Sequence, residues 1–242
     1  MEANKMPMLE HAEEFRKRLI YVLVSFVILL FLGFIFVDRI YDWIVHSAEQ
    51  PLTVLGPSDI MWIYFVLAGS FALVFTTPVA VYHCWRFVSP GLQTSEKKAL
   101  YIFFPVLIIF FVMGLCFGYY ILFPSVLTFL THLAGDHLHT MYTAEKYFKF
   151  LLNLTLPIGF LFEMPILIML LTRLGIINPM LLAKTRKIAY FILMILSTLV
   201  TPPDFISTII VFLPLVTLYE LGISVSKYMY RKNERVLFEE AS

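Results

Sequence analysis

Acidic residues set where a charge is costly are the most informative chemistry in this sequence. Glu163 is the fourteenth of the 22 residues in the apolar run 150–171. Near the centre of a membrane span a charge costs roughly 2.5–3.5 kcal/mol on insertion scales, so neutralisation, a polar partner or water must offset it. One reading makes Glu163 a functional ionisable group, with Asn153 and Thr155 on its own helix and Thr198 and Thr201 on a later span completing a polar patch. Such a patch offers hydrogen bonds to a polar side chain on a visiting helix. The other reading is a protonated glutamate bonded inside the bundle to backbone groups that Pro157 or Pro165 sets free.

Two further acids stand among cations. Glu13 and Glu14 precede Lys17 and Arg18 by four residues, on a segment where Met8, Ala12, Phe15 and Leu19 form one apolar helical stripe. Surface ion pairs worth about 0.3–0.5 kcal/mol each explain that spacing. A carboxylate presented to a guanidinium ligand, gripped through two parallel hydrogen bonds, explains it as well. Glu96 follows a turn built on Pro90-Gly91, and Thr94 or Ser95 there can cap the next helix. In the first turn of that helix its charge is favoured by the dipole. A site for a cation on a basic face must nevertheless concentrate its few acids, and Glu14 and Glu96 are the candidates.

Other groups carry less. His132, His137 and His139 with Asp136 lack both a one-face ligand ladder and a zinc spacing. Cys84 and Cys116 fit neither a disulfide framework nor a metal cluster. No Walker A loop, Gly-rich dinucleotide turn or Gly-x-Ser-x-Gly elbow occurs in the chain. No cofactor, no metal and no nucleic-acid partner is expected, and no covalent catalysis.

The elements that hold these acids are read from composition and run length. With 60% hydrophobic residues, 24 Phe, 14% charged residues and a mean hydropathy of +0.84, the chain is built for a bilayer. Crossing a hydrocarbon core of about 30 Å takes roughly 20 helical residues. Six apolar runs, 19–37, 63–83, 100–123, 150–171, 188–200 and 205–221, predict an all-α integral membrane protein of six transmembrane helices. The first run lacks a cleavage site and is expected to stay as a span. Residues 1–18 read as an amphipathic surface helix, 223–242 as a tail, and 1–242 as a single polytopic domain. The last two spans form a short hairpin around Thr201-Pro202-Pro203-Asp204, and the 13-residue fifth run covers only about 20 Å. That shortness requires local thinning or a submerged turn.

Charge placement orients the chain. Of 18 Lys and Arg, only Arg39, Lys146 and Lys149 fall in the outer segments, which predicts that both termini are cytoplasmic. A multi-pass membrane protein follows.

Taken in order, several motifs resemble the TatC family, the core receptor subunit of the twin-arginine protein translocase. They are His11-Ala12-Glu13-Glu14-Phe15-Arg16-Lys17-Arg18, Pro78-Val79, Trp85-Arg86-Phe87-Val88-Ser89-Pro90-Gly91-Leu92 with Glu96 following, Tyr119-Tyr120-Ile121-Leu122-Phe123-Pro124, Phe162-Glu163-Met164-Pro165 and Thr201-Pro202-Pro203-Asp204. Ala12 and Phe15 depart from the leucines usual in the first motif. The resemblance implies binding of twin-arginine signal peptides by Glu14 and Glu96, with Arg16, Phe87 and Pro90 in the surrounding surface. It implies contact near Glu163 with small single-span partners of the TatA/TatB type in an oligomeric complex. It further implies export of folded cargo driven by the proton motive force. Two other classes stay open on the residues alone: a proton-coupled transporter of a small solute using Glu163, and an intramembrane hydrolase, for which spans four to six contain no histidine.

Overall fold

Backbone groups in a bilayer must be satisfied within the chain, and uninterrupted apolar runs do so as helices. The computed structural model describes residues 8–46, 52–88, 94–134, 142–175, 177–202 and 204–240. Within them the elements are α1 (Met8–His46), α2 (Pro57–Val88), α3 (Thr94–Phe117), a π turn (Gly118–Leu122), α4 (Phe123–Ala134), α5 (Ala144–Phe162), α6 (Met164–Arg173), α7 (Pro179–Lys184), α8 (Arg186–Val200) and α9 (Phe205–Glu240). Extended pairing among the described residues is limited to one bridge, Thr53 to Thr143. Five segments, Ala12–His46, Pro57–Phe87, Phe103–Leu133, Ala144–Arg173 and Phe205–Tyr230, are long and apolar enough to cross a membrane. The short sixth is α8, whose 15 residues rise about 22 Å. The fold is the all-helical membrane architecture expected from the sequence, and large apolar side chains such as Phe31, Ile35, Phe191 and Leu199 face outward, as lipid contact permits.

Helix ends depart from the run limits for identifiable reasons. The surface segment and the first span are one continuous helix, since no Pro or capping break separates them. The third span continues past Pro124, a residue whose ring clashes with the carbonyl four positions back in an ordinary helix. A wide turn precedes it, in which the Phe123 N–H donates to the Gly118 carbonyl five residues back, so the chain passes Pro124 and helix resumes to Ala134. The fourth span is divided at Glu163 because Pro165 cannot donate: the Glu163 N–H reaches Phe160 O at 3.1 Å, and helix restarts at Met164. The tail continues α9 to Glu240.

The chain forms two compact units, Met1–Phe104 with His139–Leu152, and Pro105–Leu138 with Asn153–Ser242. In the first, α1 packs on α2 with Gly33 against Ala68, so closely that a β-carbon on Gly33 would lie 2.7 Å from the Ala68 carbonyl oxygen. Aromatic pairs Phe34/Phe65 and Tyr41/Phe148 extend that contact, and Tyr64 donates to Asp38 at 2.5 Å. Thr53 and Ala144 N–H groups exchange bonds with Tyr142 and Thr53 carbonyls at 3.0 and 2.8 Å, tying the loop before α2 to the start of α5.

In the second unit the close contacts centre on Gly114, Gly118 and Gly159. A β-carbon on Gly114 would meet Phe162 Cβ at 2.7 Å and Gly159 Cα at 2.9 Å, and one on Gly118 would meet Thr155 Cα at 3.0 Å. Small residues at such spacing let helices approach backbone to backbone where no hydrophobic effect drives association. On the other side of this unit α6 packs on α9, through Gly222 against Pro165 and Ile168 and a buried Thr172–Ser226 hydroxyl pair at 2.6 Å.

Candidate functional site

Glu14 lies one turn and a half into α1, on a helix stretch whose cations are local. Arg18 Nε donates to Glu14 Oε1 at 3.1 Å, and Arg18 Nη2 reaches the same oxygen. Four-residue spacing brings these side chains together on one face. The other oxygen, Oε2, is shielded from solvent and has no hydrogen-bond donor among the described residues. Both readings of Glu14 therefore have a place: one oxygen is held by the neighbouring arginine, and the second remains an acceptor for a further donor. Glu13, by contrast, is exposed and forms no ion pair with Lys17 among the described residues.

Aromatic side chains surround this end of the first unit. Phe15 meets Phe87 edge to face at 5.6 Å, and Tyr21 stacks on His83 at 5.5 Å. Trp85 and Tyr82 both touch Phe104, and Arg86 donates to the Tyr82 hydroxyl at 3.1 Å. Arg16 is exposed beside Phe15. The structure thus brings Glu14, Phe15 and Phe87 to one end of the α1/α2 pair. Glu96 occupies the first turn of α3, where a carboxylate meets the positive end of the helix, although its side chain lies outside the described residues, as Pro90 does wholly.

Glu163 occupies the break between α5 and α6 and is 7% exposed. No side-chain hydrogen bond or ion pair to its carboxylate is found among the described residues. Thr155, also buried, turns its Cα and methyl group toward Gly118, and its hydroxyl has no hydrogen-bond partner among the described residues. Next to Glu163, Phe162 lines an open groove with Met113, Cys116 and Tyr120, all apolar or weakly polar.

Thr198 and Thr201 do not join Glu163. Thr198 is exposed and bonds to the Met194 carbonyl at 2.9 Å. Thr201 is buried, donates to Ser197 O at 2.8 Å and faces Thr208 at 3.4 Å. Pro165 abuts Gly222, fourteen residues along α9 from Thr208, which is about 21 Å of helix. The expected patch is therefore two separate places.

The turn between α8 and α9 is a cap. Thr201 is extended, at φ −99° and ψ 159°, because Pro202 follows it. Asp204 Oδ1 accepts from the Ser207 N–H at 2.7 Å and caps the start of α9, while Oδ2 is buried without a hydrogen-bond partner among the described residues. Pro203 lies outside the described residues, as do Asp136, His137 and His139, whereas His132 is exposed on α4.

Two constellations lie beyond the sequence reading. Gly114 and Gly118 form a Gly-x-x-x-Gly spacing, a signal visible in the sequence. Glu220 on α9 holds Arg186 at 2.8 Å and the Tyr190 hydroxyl at 2.5 Å, both on the α7–α8 side of the hairpin. Separations of 34 and 30 residues leave no local trace of that pairing.

A family model described as Sec-independent protein translocase protein (TatC) matches residues 10–214. The Bacillus subtilis Sec-independent protein translocase protein TatCd is 48% identical over 235 residues, covering 97% of each chain. The TatC protein of Halalkalibacterium halodurans is 36% identical over 98% of this chain and 95% of its own. A crystal structure of the twin arginine translocase receptor TatC superposes with a TM-score of 0.81 at 31% identity, over 90% of this chain and 99% of that one. Matched by the family model over most of its length and by these relatives nearly end to end, the chain belongs to the TatC family of Sec-independent protein translocase proteins.

Proposed function

We propose that this chain is the receptor and assembly platform of a twin-arginine translocase, binding arginine-pair signal peptides at the cytoplasmic face through Glu14 and Glu96. The single observation that carries the reading is the second oxygen of Glu14, buried and without a donor among the described residues, beside an exposed Arg16 and the Phe15/Phe87 pair. A buried acceptor left unsatisfied is costly, and a guanidinium N–H removes that cost when the ligand arrives. The edge-to-face aromatic pair supplies an apolar surface for the peptide's hydrophobic part.

Recruitment of single-span partners is assigned to the surface around Glu163. The groove lined by Phe162 and Met113 suits an apolar helix, and the neighbouring carboxylate suits one polar group on it. A small polar solute would find few donors along that groove, which supports this reading over a proton-coupled solute transporter. On this reading both termini lie on the cytoplasmic side of a bacterial-type plasma membrane, and export of folded cargo draws on the proton motive force.

The test is site-specific crosslinking of a twin-arginine signal peptide to the membrane-inserted chain. Glu14→Gln and Glu96→Lys are each expected to lower crosslinking roughly tenfold or more with normal protein abundance, since hydrogen bonds to charged groups are worth about 1.5–3 kcal/mol. A peptide with both arginines replaced by lysine keeps the charge but loses the planar fork, and is expected to crosslink poorly. Unchanged crosslinking in both variants removes the proposed site.

A further inference from the structure

The connection between α6 and α8 is too elaborately fixed to be a simple linker. Gly175, at φ +70°, ends α6 in the left-handed region. Asn178 then accepts from the Met180 N–H at 2.9 Å and caps α7, with Pro179 buried at the first helical position. Tyr219 on α9 donates to the Leu182 carbonyl at 3.0 Å and anchors α7 from below.

Held this way, α7 projects Met180, 72% exposed, and Leu181, 60% exposed, although it belongs to no span. Lys184 and Lys187 are exposed, and neither has a carboxylate partner among the described residues. Arg186 between them is already committed to Glu220. Exposed apolar surface resumes at Ile188 and Phe191 on α8. A segment joining consecutive membrane helices must meet the membrane surface, and there two projecting apolar side chains beside two unpaired cations have a matching environment.

We infer that α7 and the first turn of α8 form an in-plane foot that docks on acidic phospholipid. Met180 and Leu181 enter the boundary between headgroups and acyl chains, and Lys184 and Lys187 meet lipid phosphates. Exposed apolar side chains set directly beside exposed cations match the layered chemistry of a lipid surface, apolar chains beneath anionic headgroups, better than a folded acidic partner.

The test is native mass spectrometry of the full-length chain from equimolar mixed micelles of phosphatidylglycerol and phosphatidylcholine. Wild type is expected to retain phosphatidylglycerol preferentially, and Lys184→Gln with Lys187→Gln to lose roughly twenty-five-fold of that preference, each cation near an acidic surface contributing about fivefold. Met180→Ser with Leu181→Ser is expected to reduce retention of both lipids alike. Lys97→Gln with Lys98→Gln serves as the control and is expected to leave the preference near wild type. An unchanged preference in the Lys184/Lys187 variant, or an equal loss in the Lys97/Lys98 control, overturns the inference. So does polyglutamate binding to the lipid-free protein that depends on Lys184 and Lys187, which would make the occupant an acidic polypeptide.

Discussion

At the scale of single residues, Glu163 is retained against its own cost. It is buried, sits where the helix is already interrupted, and finds no side-chain partner among the described residues. Glu163→Leu is therefore expected to raise the detergent melting temperature or leave it unchanged, while export of folded cargo in cells falls; a large drop in melting temperature would make the residue structural instead. Asp204 behaves oppositely. Loss of its cap in Asp204→Ala is expected to cost about 0.5–2 kcal/mol, with Asp204→Asn close to wild type, read by thermal unfolding. The cap that Asp204 gives to α9 is seen only in the structure, whereas the place of Glu163 within an apolar run and the turn at Thr201-Pro202-Pro203-Asp204 were both legible in the sequence, because each depends on neighbours in the chain. That Thr201 serves the Asp204 turn and stands apart from Glu163 was not, because it depends on which helices meet at which height.

At the scale of elements, glycines decide how closely helices meet. Gly114→Ala places a methyl group 2.7 Å from Phe162 Cβ, and overpacking of this kind costs typically 1–3 kcal/mol. Gly69→Ala meets nothing within 4 Å and is expected to be neutral or slightly stabilising, through the better helix propensity of alanine. Similar losses in the two variants, measured by thermal unfolding in the same detergent, would contradict the close packing described for Gly114. The turn before Pro124 belongs to this scale as well. A proline read from sequence marks a helix end, yet a single wide turn at Gly118–Leu122 carries the helix past it, since one extra residue relieves the clash with the preceding carbonyl.

For the whole molecule, orientation is the quantity with the clearest readout. In a background with Cys84→Ser and Cys116→Ser, Glu13→Cys is expected to react with a membrane-impermeant maleimide in inverted vesicles and not in intact cells. Asp59→Cys, at the other end of the α1/α2 pair, is expected to show the reverse pattern, and matching reactivity at the two positions would reject the assignment.

Spans, their number and the location of costly acids were determined by the sequence itself, because a bilayer requires a continuous apolar helix for each crossing and that requirement is local. Tertiary structure decided the pairings: one oxygen of Glu14 held by Arg18 and the other left open, Glu220 joined to Arg186 and Tyr190 across 34 and 30 residues, and Glu163 separated from Thr201. Such pairings follow from the rotation and height at which helices lock through their glycines, and side chains distant in the chain acquire partners only once that packing is set.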